Sequence, residues 1–336
     1  MAKIGIIDQA VKAIEGKNLT IVFPEGKDER VLEAAIRHQE AGLITPIVLG
    51  DQGEVQKAAD KLGKSISNIK ILNPETFEDF DKLVDSFTEV RKGKIDREEA
   101  EFILRRDLNY FGVMLIKDGY ADGMVSGAIH TTADTIRPAL QIIKTKPGVS
   151  RVSGVMVMIG PNGEELVFAD TAVNITLEAD ELAEVAIETA NTAKSFGIDP
   201  YVAMLSFSTM GSAHHDLATK VERATHLAKY LKPELNVVGE VQFDAAIDPV
   251  TAANKVPGSK VAGKCNVFIF PDLQAGNIGY KIAQRLGGYM ALGPILQGLN
   301  APVNDLSRGC SADDVYDIAV ITAMQAADAQ AQKEEK

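Results

Sequence analysis

Leu19-Thr20-Ile21-Val22-Phe23-Pro24-Glu25-Gly26, followed by Pro46-Ile47-Val48-Leu49-Gly50, sets the architecture of the chain. Each stretch is a short apolar, β-branched run closed by a glycine, the pattern of a strand buried on both faces. Between them, Arg30 to Ala41 has helical spacing, so the first fifty residues form a strand–helix–strand unit and start a parallel sheet. Working outward, residues 51–110 read as helices on a polar surface around one weak strand, Ile69 to Leu72. Gly123-Met124-Val125-Ser126-Gly127 is a further strand, leading into a helix from Thr135 to Lys144 that Thr132 or Asp134 caps.

The character changes after Lys146-Pro147-Gly148. Val152 to Ile159 and Leu166 to Ala169 flank Gly160-Pro161-Asn162-Gly163, a hairpin signal. Helix Leu177 to Phe196, strand Tyr201 to Phe207, helix Leu217 to Tyr230 and strands Val237 to Val241 and Asn266 to Phe270 follow. A turn over Pro271 to Gly279 opens a helix at Tyr280 to Leu286, and a last helix runs from Val315 to Ala327. Such alternation predicts the α/β class with mostly parallel sheets. A chain of 336 residues exceeds what one core usually serves. The expected division is a discontinuous first domain, 1–147 plus 301–336, and a second domain, 148–300. The polar tail Gln330 to Lys336 is expected to fray.

Bulk composition narrows the function by exclusion. A formal net charge of −12 argues against nucleic acid as a partner. No apolar run reaches the ~20 residues a membrane helix needs. The start, Met1 to Asp8, lacks a secretory h-region. Two cysteines, Cys265 and Cys310, cannot frame a disulfide-built fold, which points to a reducing cytoplasm. One window breaks the acidic average: from Lys255 to Cys310 the cations are Lys255, Lys260, Lys264, Lys281, Arg285 and Arg308, against Asp272 and Asp305. A local anion site is the expectation there.

That window ends in Asn304-Asp305-Leu306-Ser307-Arg308-Gly309-Cys310-Ser311-Ala312-Asp313-Asp314, a loop that opens the last helix. Unpaired N–H groups at a helix start favour anions. Arg308 can grip a phosphate or carboxylate with both arms while Ser307 donates to a neighbouring oxygen. Ser311 to Asp314 has the spacing of a capping box, so local pattern alone makes Asp314 a cap; it is a base only if a substrate proton comes within reach. Cys310 reads as pocket lining or as a nucleophile whose thiol a helix start and Arg308 acidify. The hydroxyl-rich loop Ser206 to Ser212 suits a phosphate or acyl oxygen. His214-His215-Asp216 looks metal-like, yet adjacent histidines rarely hold one ion, and no metal site is expected. No P-loop and no G-x-G-x-x-G occurs.

Six ordered blocks together carry a resemblance. They are Phe23-Pro24-Glu25-Gly26 with Arg30, Ser126-Gly127 through Thr132 with Arg137-Pro138, Phe168 to Asn174, Leu205 to Ser212, Pro271 to Asn277, and Pro302 to Ser311. Over nearly its whole length the chain resembles the short form of the phosphate acetyltransferases (phosphotransacetylases). Met210 stands where relatives commonly carry lysine. The resemblance implies reversible acetyl transfer between acetyl phosphate and coenzyme A with release of inorganic phosphate, coenzyme A being a substrate and no cofactor being needed. It implies direct attack of the thiol within a ternary complex: Asp314 takes the thiol proton, Ser307 hydrogen-bonds the carbonyl oxygen, and Arg308 holds the acyl phosphate. Arg91, Arg137, Lys281 and Arg285 would contact anionic groups, and Cys310, Ser126, Ser206, Ser208 and Thr209 would line the site. Two α/β domains with a cleft between them, related to isocitrate and isopropylmalate dehydrogenases, and a homodimer through the second domain are also implied. A metal- and NAD-dependent β-decarboxylating dehydrogenase is the alternative, but no set of aspartate ligands for its metal can be assembled.

Overall fold

The computed structural model describes residues 5–334. The chain forms two compact units, Met1–Lys146 with Leu299–Lys336, and Pro147–Gly298. The first unit contains α1 (Ile6–Ile14), β1 (Thr20–Phe23), α2 (Glu29–Ala41), β2 (Thr45–Leu49), α3 (Gln52–Leu62), β3 (Lys70–Leu72), α4 (Phe80–Val90), α5 (Arg97–Arg106), α6 (Leu108–Lys117), β4 (Gly123–Ser126) and α7 (Thr132–Ile142). The second contains β5 (Ser153–Ile159), β6 (Glu165–Ala169), α8 (Ala179–Ser195), β7 (Val202–Leu205), α9 (Asp216–Leu231), β8 (Val237–Val241), α10 (Phe243–Ile247), α11 (Pro249–Lys255), β9 (Val267–Ile269), α12 (Leu273–Gly287) and β10 (Met290–Gln297). The chain then returns to the first unit with β11 (Val303–Asp305) and α13 (Ala312–Glu334).

Unit 1 is a five-stranded parallel sheet in the order β11-β4-β1-β2-β3. Ile21, Val22 and Phe23 are all buried, as a strand covered by helices on both faces must be. From β1 the chain builds outward through β2 and β3, then returns to the other side of β1 with β4. This reversal between β1 and β4 is the topological switch point, beside which open α/β sheets bind ligands at the carboxyl ends of their strands. Helix α13 packs on α1, α2 and β4 and buries Val315, Ile318, Ile321 and Met324. Burying each such side chain is worth about 1.5–3 kcal/mol, so the return of the chain is anchored by the core.

Unit 2 is a six-stranded mixed sheet, β10-β5-β6-β9-β7-β8. The hairpin β5–β6 is antiparallel, as its Pro-Asn-Gly turn predicts, while β6, β9, β7 and β8 run parallel.

Several sequence expectations need correction. Asp272 caps a helix that begins at Leu273, so the supposed turn over 271–279 is mostly its first two turns. The cap of α7 is Thr131, with Asp134 closing the box, rather than Thr132 or Asp134. Strands β10 and β11 are not expected from sequence: Gly293-Pro294 interrupts β10, and Asn304-Asp305 give β11 the polarity of a loop. The tail from Gln330 is helical as far as Glu334, and beyond that it lies outside the described residues.

Candidate active site

Three strand ends, β1, β4 and β11, stand side by side at the switch point of unit 1. Glu25 follows β1 and is buried. Its Oε2 accepts from the N–H groups of Gly127 (3.0 Å) and Ala128 (2.8 Å), and its Oε1 from those of Ile129 and His130 (2.7 Å each). Four successive amides after β4 thus converge on one carboxylate, a backbone nest of the kind that binds anions. Gly127 is required here: its φ is +113°, and a Cβ would sit 2.3 Å from Asp305 Oδ1. Ser126, buried just before the nest, donates its hydroxyl to Asn109 Oδ1 at 2.8 Å. The loop from which Ser126 is expected to line the site is already filled by the protein's own carboxylate.

Across β4, the β11 loop is built differently. Leu306 N–H extends the ladder to Ser126 O (2.8 Å), and the chain then turns through exposed Ser307, Arg308 and Gly309, closed by Cys310 N–H to Ser307 O at 2.9 Å. Arg30 braces this turn from α2, donating through Nη1 to the carbonyls of Arg308 and Cys310, both at 2.9 Å. Ser311 and Asp314 form the capping box: Asp314 Oδ2 accepts from Ser311 N–H (2.8 Å) and Oγ (2.9 Å), and Asp314 N–H donates back to Ser311 Oγ (3.1 Å). Among the described residues Asp314 Oδ1 has no hydrogen-bond partner, so capping leaves one carboxylate oxygen free.

Asp305, at the end of β11, accepts the Thr132 hydroxyl at Oδ2 (2.6 Å), while its Oδ1 is buried without a partner. Burial pushes its carboxyl up to about 6, against the pull of nearby hydroxyls, and the charge on Glu25 adds to the rise. It does not pair with Arg308. Cys310 does not fit the nucleophile alternative. Burial pushes its thiol up to about 11, and the guanidinium that partly offsets this is Arg30, not Arg308. A thiol held so far above neutrality carries almost no thiolate.

Arg30, Arg37, Arg97, Arg105 and Arg151 each pair with a carboxylate. Among the described residues Arg91, Arg106, Arg137, Arg223, Arg285 and Arg308 do not, and four of these are the arginines singled out from sequence. Arg91 caps α4 with its Nε buried and unpartnered, and Arg137 lies on α7. Both face Tyr110, whose phenol burial raises and whose ionised form they favour. A cavity of about 430 Å³ opens at the ends of β1, β2 and β3, touching Glu25, His130 and Asp134 but none of Ser307, Arg308, Cys310 or Asp314. The candidate residues of the β11 loop therefore lie outside that cavity.

In unit 2 the same filling recurs. Asp170 accepts from the amides of Gly154, Ala172, Val173 and Asn174. Glu240 Oε1 accepts from Ser208 Oγ (2.8 Å) and Gly211 N–H (2.7 Å). Ser206 Oγ accepts from Ser208 N–H, and Thr209 exchanges hydrogen bonds with Gln242. Ser208 and Thr209, like Ser126, are buried and committed to holding loops, so direct substrate contact by these hydroxyls does not follow from their geometry. On α12, Lys281 donates to Asn277 Oδ1. The cation window does not gather as one site: Lys255 pairs with Asp244 (2.7 Å) and Lys264 lies over Tyr201. His215 caps α9 through Nδ1, and no group of His, Cys, Asp or Glu able to hold a metal ion occurs among the described residues.

Glu25, Asp28 and Arg30 were missed as working residues. Their partners lie roughly a hundred residues or more away in sequence, except for the Asp28–Arg30 pair, which the cap of α2 could have revealed.

Residues 5–323 match the family model described as phosphate acetyl/butaryl transferase. The phosphate acetyltransferase of Staphylococcus aureus is 58% identical over 317 residues, covering 93% of this chain and 96% of that protein. That of Bacillus subtilis is 56% identical over 313 residues, with the same coverage. The crystal structure of a phosphotransacetylase from Streptococcus pyogenes superimposes with a TM-score of 0.93 at 59% identity, covering 96% of this chain and 98% of that one. With sequence and fold agreeing over nearly its full length, the chain belongs to the phosphate acetyl/butaryl transferase family.

Proposed function

We propose that the chain transfers an acetyl group reversibly between acetyl phosphate and coenzyme A by direct thiolate attack, with Ser307, Arg308 and Asp314 as the groups that touch the reacting atoms. The observation that carries this is the exposed β11 loop. It presents a free guanidinium, a hydroxyl and one free carboxylate oxygen within eight residues, while the neighbouring loop is closed by Glu25. In this step the thiol sulfur bonds to the acetyl carbonyl carbon, the carbon–oxygen bond to phosphate breaks, and the departing phosphate takes up the thiol proton, relayed through Asp314, to leave as the dianion. The thiol proton passes to Asp314 Oδ1. Ser307 donates to the carbonyl oxygen as it gains charge.

Proton transfer from a thiol (pKa about 8.5) to an aspartate (about 3.9) is uphill by roughly 6 kcal/mol in water. A turnover near 10³ s⁻¹ tolerates a barrier of about 13 kcal/mol. A guanidinium about 4 Å from the developing thiolate contributes roughly 4 kcal/mol at an effective dielectric of 20. Arg308 is the cation with no protein partner on this loop, and it offsets most of the cost. Arg91, Arg137, Arg285 and Lys281 are proposed contacts for anionic groups of coenzyme A or phosphate. Cys310 is the proposed lining of the β11 loop, Ser206 remains a proposed contact of unit 2, and Ser126, Ser208 and Thr209 act through the loops they hold. Coenzyme A enters as a substrate, so the reaction calls for no further cofactor.

We place the chain in the cytoplasm, in keeping with its two unpaired cysteines; no helix among the described residues is long and apolar enough to cross a membrane. A homodimer through unit 2 is supported by the stripe Ile278, Ile282 and Leu286, left exposed along α12. Sedimentation of Ile282→Asp should then show monomers, and an unchanged dimer would rule out that face.

Arsenate tests the activity. Supplied with acetyl-CoA, it should drive complete release of free coenzyme A, because the acetyl arsenate formed hydrolyses; acetyl-CoA left intact would refute the assignment. Cys310→Ala should retain turnover.

A further inference from the structure

Arg30 has five N–H donors, and each has an acceptor. Nε donates to Asp28 Oδ1 at 3.0 Å, and Nη2 to Asp28 Oδ2 (2.8 Å) and Ala128 O (2.9 Å). Nη1 donates to Arg308 O and Cys310 O, both at 2.9 Å, with Cys310 Sγ 3.8 Å away. A guanidinium carries five donors and no acceptor, so Arg30 keeps none for a substrate oxygen. Its charge is matched by Asp28, which holds the Arg30 cation more firmly and in turn caps α2 through the amides of Arg30 and Val31. The acceptors belong to different strand ends: Ala128 follows β4, Arg308 and Cys310 follow β11, and Asp28 lies beyond β1. One side chain therefore links the three carboxyl edges that meet at the switch point.

We propose that Arg30, oriented by Asp28, is a positioning residue for the transfer step: its saturated fork fixes the backbone on either side of Gly309 and so sets where Ser307 and the Arg308 guanidinium stand. This rests on the reading of the β11 loop as the reactive one. A lysine cannot replace the fork, because its three donors radiate from one nitrogen and leave at least two of the five acceptors unmet. Displacing a reacting group by about 1 Å costs on the order of 100-fold in rate. A clamp that never meets the substrate should therefore show its effect in kcat and leave binding alone.

The experiment is steady-state kinetics of Arg30→Lys and Arg30→Ala, with Ser307→Ala in parallel and folding of each followed by circular dichroism. Arg30→Lys, which keeps the charge and most of the packing, is read should Arg30→Ala fail to fold. The expected result is a fall in kcat of about tenfold or more, toward 100-fold, with KM for coenzyme A and acetyl phosphate within about threefold. A KM raised about tenfold or more would make Arg30 a substrate contact and overturn the proposal. So would a folded Arg30→Lys enzyme whose kcat falls by less than about tenfold while Ser307→Ala is crippled. Full activity in Ser307→Ala as well would instead remove the reading of the loop on which the proposal rests.

Discussion

Two loops leave neighbouring strands at the same edge of unit 1, and only one is empty. After β4, four successive amides close on the Glu25 carboxylate, Ser126 bonds to Asn109, and none of those four N–H groups remains for a ligand. After β11, Ser307, Arg308 and Gly309 are exposed, and the structural bonds of the turn run through its carbonyls rather than through the Arg308 side chain. Each loop carries one glycine, hydroxyl side chains and a run of backbone N–H groups. What separates them is whether a carboxylate from elsewhere in the fold occupies the donors. The filled loop has its donors satisfied within the fold, and the open one is where the proposed chemistry lies. Unit 2 repeats the filled version around Asp170.

If that contrast is right, the filled loop should break in stability and the open one in rate. Glu25→Gln replaces a four-fold acceptor by an amide whose nitrogen faces N–H donors. Leaving two buried amides unpaired should cost roughly 3–5 kcal/mol, seen as a lowered urea midpoint. Arg308→Ala should lower kcat/KM by about 10²–10³-fold, on the scale of losing one preorganised charge-stabilising group. Its thermal midpoint should stay put, because the side chain is exposed and unpaired.

Asp305, between the two loops, provides a finer test. Its carboxyl binds a proton more tightly folded than unfolded, with a folded value of about 6. It favours the fold fully below about pH 4, and that contribution is lost as pH rises through about 6. Asp305→Asn does not titrate, so its thermal midpoint should gain on the wild type as pH rises from 5 to 7.5, approached from both acid and alkaline sides. A constant difference across that range would mean Asp305 is not held as described. The smallest effect is expected for Ser311→Ala. Loss of the capping box should cost about 1 kcal/mol of stability and leave kcat within about twofold, whereas Asp314→Asn should lose rate by 10²-fold or so. Equal rate losses in the two variants would make Asp314 a cap and nothing more.

Much of this architecture was legible from local pattern. The run Leu19 to Phe23 and its partner Pro46 to Leu49 announce a parallel sheet because both faces are covered, and Ser311-Ala312-Asp313-Asp314 announces its own capping box. Strand β11 was hidden because its three residues, Val303 to Asp305, include two polar ones that are buried by β4 and α13, a tertiary effect with no local sign. Filled nests were hidden for the same reason. Glu25 lies 102 to 105 residues before the amides it binds, so Ser126 to Thr132 looked as available as Ser307 to Ser311. Arg137, Arg285 and Arg308, named from sequence, and Arg91, named from the resemblance, have no carboxylate partner among the described residues.

On the proposed mechanism the open loop orients two substrates and forms no covalent bond to either. Exchange of labelled inorganic phosphate into acetyl phosphate, measured without coenzyme A, tests this most directly. Direct transfer predicts no exchange, because phosphate cannot leave until the thiol attacks. Exchange at a rate near turnover would mean that an acetyl-enzyme forms, moving the chemistry to Cys310 and contradicting the roles given to Arg308 and Asp314.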